Sequence, residues 1–318
     1  MEWYDPDDRW EVWGIKTKGE FVDKFVVPGK FHGRVPKDVV VAFDTVTHLM
    51  AYAYYHYSLL DVAMEKALLI MEMAVKLKAE RLGIELKRKP SKRNEVYDKT
   101  LNEIIGEVCK YKEIAFLKPE FDRARQWRNT KMHPKNHTIS GPIGYPHRNA
   151  MLFVNVINKF FMSNKELSFM DKRQRELKEK LKKFNYGLFV LEYSKGRILI
   201  TTIYDLKFIK MGRKEVVVVF LQPVLNDVIT AVQNYDHTPF ILGFSEFLID
   251  RNTISGVDIN ENKVRIYPSS GQKNLPIWEK YENDWASLTE EQQNEFIQFN
   301  AREALWKMEE LIYEQCWN

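Results

Sequence analysis

One short segment of the chain brings an arginine, an amide and a histidine close together: Arg125-Gln126-Trp127-Arg128-Asn129-Thr130-Lys131-Met132-His133-Pro134. An imidazole with an unperturbed pKa near ~6.5 can take a proton or give one. A guanidinium offers a planar fork of donors that matches phosphate oxygens. With no metal, that pair suffices for RNA cleavage. The imidazole removes the 2′-hydroxyl proton, the cation stabilises charge developing on the phosphorane oxygens, and the products are a 2′,3′-cyclic phosphate and a 5′-hydroxyl. Asn129 can hold a phosphate oxygen or orient a catalytic neighbour. Arg128, His133 and Asn129 are therefore the candidate catalytic residues. Arg125, Lys131 and Lys135 are candidate RNA contacts, joined by Lys87, Arg88 and Lys89 from a basic cluster upstream.

Five residues on an ideal helix turn through about 140°, so Arg128 and His133 do not share a face of a straight helix. Pro134 biases His133 away from helical ψ, ends the helix, and lets the imidazole swing back toward the guanidinium.

Other constellations carry less. His133, His137 and His147 fall near one another, but no cysteine or acidic ligand completes a metal set, so neither metal nor cofactor is expected. Glu65 and Glu72 lie on one face of a helix. They can support Arg128 from inside, or Glu72 can pair with Lys76 at the i,i+4 spacing, which is the preferred reading. Trp127 can stack on a base, yet it and Tyr52, Tyr54, Tyr55 and Tyr57 read first as packing residues. Gly-rich phosphate loops, nucleophile elbows and CxxC patterns are absent from the sequence.

The elements that must position the motif fall into three stretches of an α+β multidomain chain. Residues 1–35 alternate apolar and polar around Trp10, Trp13 and Gly14, which predicts a small N-terminal β segment. Residues 36–184 read as a central all-α helical bundle. Phe43, Val46, Met50, Ala53 and Tyr57 form one helical stripe, and Leu60, Ala63, Ala67, Ile70, Ala74 and Leu77 another. A second row, Met64, Leu68, Met71 and Val75, widens that face and makes the helix central. Gly83 stops it. Tyr97 to Val108 marks a third helix, Pro119 opens a fourth, and Ala150 to Phe160 a fifth. Residues 185–318 read as a C-terminal mixed β/α module. Strand alternation over Phe189–Tyr193 and Ile198–Tyr204 flanks a turn at Ser194-Lys195-Gly196. The run Val216 to Leu221 reads as a buried strand, and Thr289 with Gln292 caps a terminal helix.

Composition bounds the rest. Hydrophobic residues make 45% and charged residues 29% of the 318 positions, as in globular proteins, and no apolar run reaches membrane-spanning length. The acidic start and the two distant cysteines, Cys109 and Cys316, predict free thiols and a cytoplasmic location. Net charge is only +4, but it is unevenly spread. Basic clusters at 76–93 and 172–183 and an acidic tail fit either a face for a polyanion or solvated helix faces.

The Arg-x4-His spacing resembles the motif of the HEPN family, with Asn129 directly after the arginine, Pro134 after the histidine and a further helix beyond. The helix containing Ala63-Met64-Glu65-Lys66-Ala67-Leu68-Leu69 is also similar to the family's early helices. The resemblance covers roughly 36–165. It implies a HEPN-like bundle, an endoribonuclease acting on RNA, and a homodimer in which two motifs face one cleft. It further implies a toxin, abortive-infection or antiviral defence role under an antitoxin or regulatory protein. Some relatives carry a modified tyrosine two positions after the histidine. Here that position is Lys135, which sets that mode of control aside. The rival reading is a non-catalytic module that binds RNA or protein, or only dimerises, in which the pair serves binding or caps a helix near its negative end.

Overall fold

The computed structural model describes residues 4–88, 96–132, 146–194, 196–235 and 239–317. Two compact units divide the chain: Met1–Ser168 with Trp317–Asn318, and Phe169–Cys316.

The first unit corrects the expected N-terminal β segment. Its first described residues form a 3-10 helix, Asp8–Trp13, followed by α1, Lys18–Phe25. Asp7 caps the former by accepting from the Arg9 amide, and Thr17 with Glu20 closes a complete capping box on the latter. Those caps supply partners for amide groups a helix start leaves open. Phe21 and Phe25 then fall four apart on one face, both buried. Trp10 is buried beside them, its indole N–H donating to the carbonyls of Ala53 and Tyr54.

The helices that follow are α2, Lys37–Tyr52, α3, Leu59–Arg81, α4, Leu101–Val108, α5, Lys118–Met132, and α6, Pro146–Phe160. Helix α3 contacts α2, α4, α5 and α6, as its wide apolar face requires. The stretch is not all-α: β1, Lys87–Arg88, pairs antiparallel with β2, Tyr97–Asp98. His32, in the segment entering α2, is pinned to α6. Its amide donates to Asn158 Oδ1 at 3.0 Å, and its Nε2 lies 2.8 Å from the Asn158 carbonyl.

The second unit replaces the expected mixed module with a closed six-stranded antiparallel barrel. Its strands are β3, Phe189–Tyr193, β4, Gly196–Met211, β5, Lys214–Pro223, β6, Phe240–Asp250, β7, Thr253–Asp258, and β8, Lys263–Pro268. Each pairs with the next, and β8 returns to β3 with Leu191 opposite Ile266. Helices α8, Val228–Asn234, α9, Leu275–Ser287, and α10, Glu290–Cys316, complete the unit with part of α7, Asn164–Leu181. Strand β5 is buried along both faces from Val216 to Gln222, one lining the barrel and the other under α10, which explains its unbroken apolar run. The β6–β7 register shifts between Phe244 and Glu246. A Cβ on Gly256 would stand 2.0 Å from the Glu246 carbonyl oxygen, so only glycine fits there. At α10 the predicted cap forms, Thr289 N–H donating to Gln292 Oε1 and Gln292 N–H to Thr289 Oγ1.

Candidate functional site

Helix α5 is anchored by buried Phe121 and Ala124 and lies against α3 and α4. Lys118 pairs with Asp122 one turn on, and Arg125 Nε is 3.8 Å from Asp122. One turn further, Arg128 reaches α3. Its Nε stands 3.2 Å from Glu72 Oε2, while Glu72 Oε1 is 2.7 Å from Lys76 Nζ. Glu72 therefore holds two cations, one per oxygen, and both readings of that carboxylate coexist. The Glu72 and Arg128 side chains are 15% and 29% exposed. Neither Glu72 Oε2 nor Arg128 Nε has an aligned hydrogen bond, so the contact is an ion pair held by charge rather than by donor geometry.

The same guanidinium also reaches its neighbour on α5. Nη1 lies 3.4 Å from Asn129 Oδ1, and Asn129 itself is exposed. Arg125 and Arg128 share a crevice with Leu101, Ile105 and Phe121, of about 10 Å³. That volume holds at most one water, so any larger ligand must sit outside it, on the exposed side of α5.

Of the residues singled out by sequence, Arg125, Arg128 and Asn129 thus stand together on α5. Lys87 and Arg88 lie on β1, and Arg88 is 2.6 Å from Glu103, the carboxylate of the α4 capping box. Arg88 is thereby partly neutralised. His133, Lys135, Lys89 and the side chain of Lys131 lie outside the described residues, as does His137. The two basic clusters are also not uniform faces. Lys78 is buried, its ammonium 5.5 Å from the Phe160 ring, and burial lowers its pKa, with Arg81 and Arg34 adding to the effect. Along α7, Arg175 pairs with Asp171 and Lys178 with Asp205, and Lys182 just beyond it pairs with Glu179.

His147, at the start of α6, meets the edge of the Phe25 ring at 5.4 Å. Burial pushes its pKa down to about 4, with Arg148 and Lys24 adding to the effect, and its Nδ1 has no hydrogen-bond partner. It is a neutral packing residue at pH 7. Burial also lowers the pKa of His32. Among the described residues, no group of three or more His, Cys, Asp or Glu side chains can hold a metal ion. No helix among them is long and apolar enough to cross a membrane. Burial raises the Cys109 thiol to about 11, which makes it a poor nucleophile.

The double role of Glu72 is what the sequence reading underweighted. Its i,i+4 relation to Lys76 was visible, whereas the reach to Arg128 depends on how α5 crosses α3. No family model matches the chain, and no curated protein or solved structure matches it either.

Proposed function

We propose that the chain is a metal-independent endoribonuclease in which Arg128 and His133 act together on the 2′-hydroxyl and phosphate of RNA. The observation that carries the reading is the posture of Arg128. Its Nε is tethered by Glu72 at 3.2 Å, and its Nη1 lies 3.4 Å from Oδ1 of the exposed Asn129. A tethered guanidinium loses little freedom when it meets a phosphate. His133, five positions along, supplies the proton transfer, and Asn129 orients a phosphate oxygen. On this reading the chain works as a homodimer with two motifs at one cleft. It serves as a defence or toxin effector restrained by an antitoxin or regulatory protein.

The test is cleavage of total RNA by the purified full chain in excess chelator, with the termini analysed. Wild type should leave 2′,3′-cyclic phosphates, and His133→Ala and Arg128→Met should not, at matched folding by circular dichroism. Cleavage that survives His133→Ala, or that disappears with chelator, overturns the reading. The Glu72 tie also favours a second one, in which Arg128 is a structural strut in a non-catalytic module that binds RNA or protein or only dimerises. Oligonucleotide binding without cleavage, unchanged in His133→Ala, would select it.

A further inference from the structure

Within the second unit, α10 leaves a pocket of about 420 Å³ against β4 and β5, lined by Tyr204, Phe220, Ile297, Ala301, Leu305 and Met308. That size lies within the range of roughly 300–1,000 Å³ seen for small-molecule sites, and the wall is of the usual kind, apolar with few polar groups. The rings of Tyr204 and Phe220 form a continuous aromatic surface, their centroids 5.1 Å apart and their planes 32° from parallel. Tyr204 is 44% and Ile297 37% exposed, so large apolar groups stand open where the pocket meets solvent.

The charges at the pocket are already matched. Lys207 pairs with Glu309, whose side chain is almost wholly buried, and Asp205 lies 2.6 Å from Lys178. An ionic ligand that drew Lys207 away would leave the buried Glu309 carboxylate without that cation, which is costly. A neutral ligand leaves both pairs intact.

We propose that this pocket binds a neutral, mainly aromatic small molecule. The site is independent of α5 and of any cleavage of RNA.

The test titrates the full chain with N-phenyl-1-naphthylamine, a neutral aromatic probe with one N–H whose fluorescence rises in apolar surroundings. Wild type should bind one equivalent with micromolar affinity. Ala301→Phe fills the pocket from an exposed helix position and should weaken binding by roughly 10-fold or more, with an unchanged melting temperature. Should that variant unfold, Ile297→Lys at the mouth makes the same test. Leu248→Lys, on the β6–β7 hairpin, should bind as wild type does. Absence of saturable binding to wild type, full affinity in the pocket variants, or equal loss in Leu248→Lys overturns the proposal.

Discussion

Replacing Glu72 with Gln removes one charge and keeps the shape, and it should loosen the hold of α3 on α5. At the 3.2 Å separation of Arg128 Nε and Glu72 Oε2, Coulomb's law gives about 5 kcal/mol at an effective dielectric near ~20 and about 1.3 kcal/mol in bulk water. Both side chains are largely but not wholly removed from solvent. Desolvation and water access therefore cut the net coupling to about 1–2 kcal/mol. Lys76 Nζ is closer to Glu72, at 2.7 Å, but its side chain is 45% exposed. Its coupling should be only about 0.3–0.5 kcal/mol, as for exposed i,i+4 pairs. The assay is a pair of double-mutant cycles by chemical denaturation, Glu72→Gln with Arg128→Met and Glu72→Gln with Lys76→Met. Glu72→Gln alone should lower the first unit's melting temperature by roughly 2–8 °C. An Arg128 coupling below about 0.3 kcal/mol, or one no larger than the Lys76 coupling, would refute the argument that burial and not distance sets the strength of this contact.

Three further outcomes are expected. His147 has a folded pKa of about 4, below its ordinary value of 6.5. The unfolded chain thus binds the proton first, and the stability contributed is intact above pH 6.5 and lost as pH falls toward 4, by about 2–3 kcal/mol. His147→Phe should flatten the urea midpoint over that window. Asp7 is held at about 2, chiefly by the Arg9 side chain, and accepts the Tyr57 amide as well. Its contribution is present above the ordinary value of 3.8 and lost as pH falls from there to 2. Asp7→Asn should cost about 2 kcal/mol at pH 7 and nothing near pH 2, read by denaturant melts at both pH values. Gly256→Ala should destabilise the second unit by about 2 kcal/mol or more, since the new carbon meets the Glu246 carbonyl. An unchanged melt would show that the β6–β7 bulge is not needed.

The helices were legible where their stripes were long. Phe43 to Met50 and Leu60 to Ala74 are buried along the faces the spacing indicates, because burial of a helix follows a period visible in a short window. The N-terminal stretch misled because its tryptophans and glycines imitate strand alternation, although the Thr17 and Glu20 cap was present in the sequence. In the second unit the hairpins were readable from their turns, but barrel closure was not. Tyr267 on β8 donates to Glu192 on β3 across 75 positions, and no local pattern records such a partner. The same holds for Arg128 and Glu72, which meet only through the crossing of two helices. Arg128 was nominated from its spacing to His133, and its anchor came from the fold.

The closure of the barrel by its first and last strands also sets an order of events during synthesis. Strand β3 leaves the ribosome some 75 residues before the partner that seals it. At about 5–20 residues per second that is a wait of roughly 4–15 s. Until β8 is made, the apolar run of β5, from Val216 to Leu221, has β4 and then β6 beside it but neither a sealed barrel nor α10 over it. The nascent chain is then at its most adhesive, with a long-range pairing still to be made. Slowing or speeding translation across 190–310 should therefore change the yield of soluble protein without changing the stability of the finished fold, as synonymous-codon variants would show.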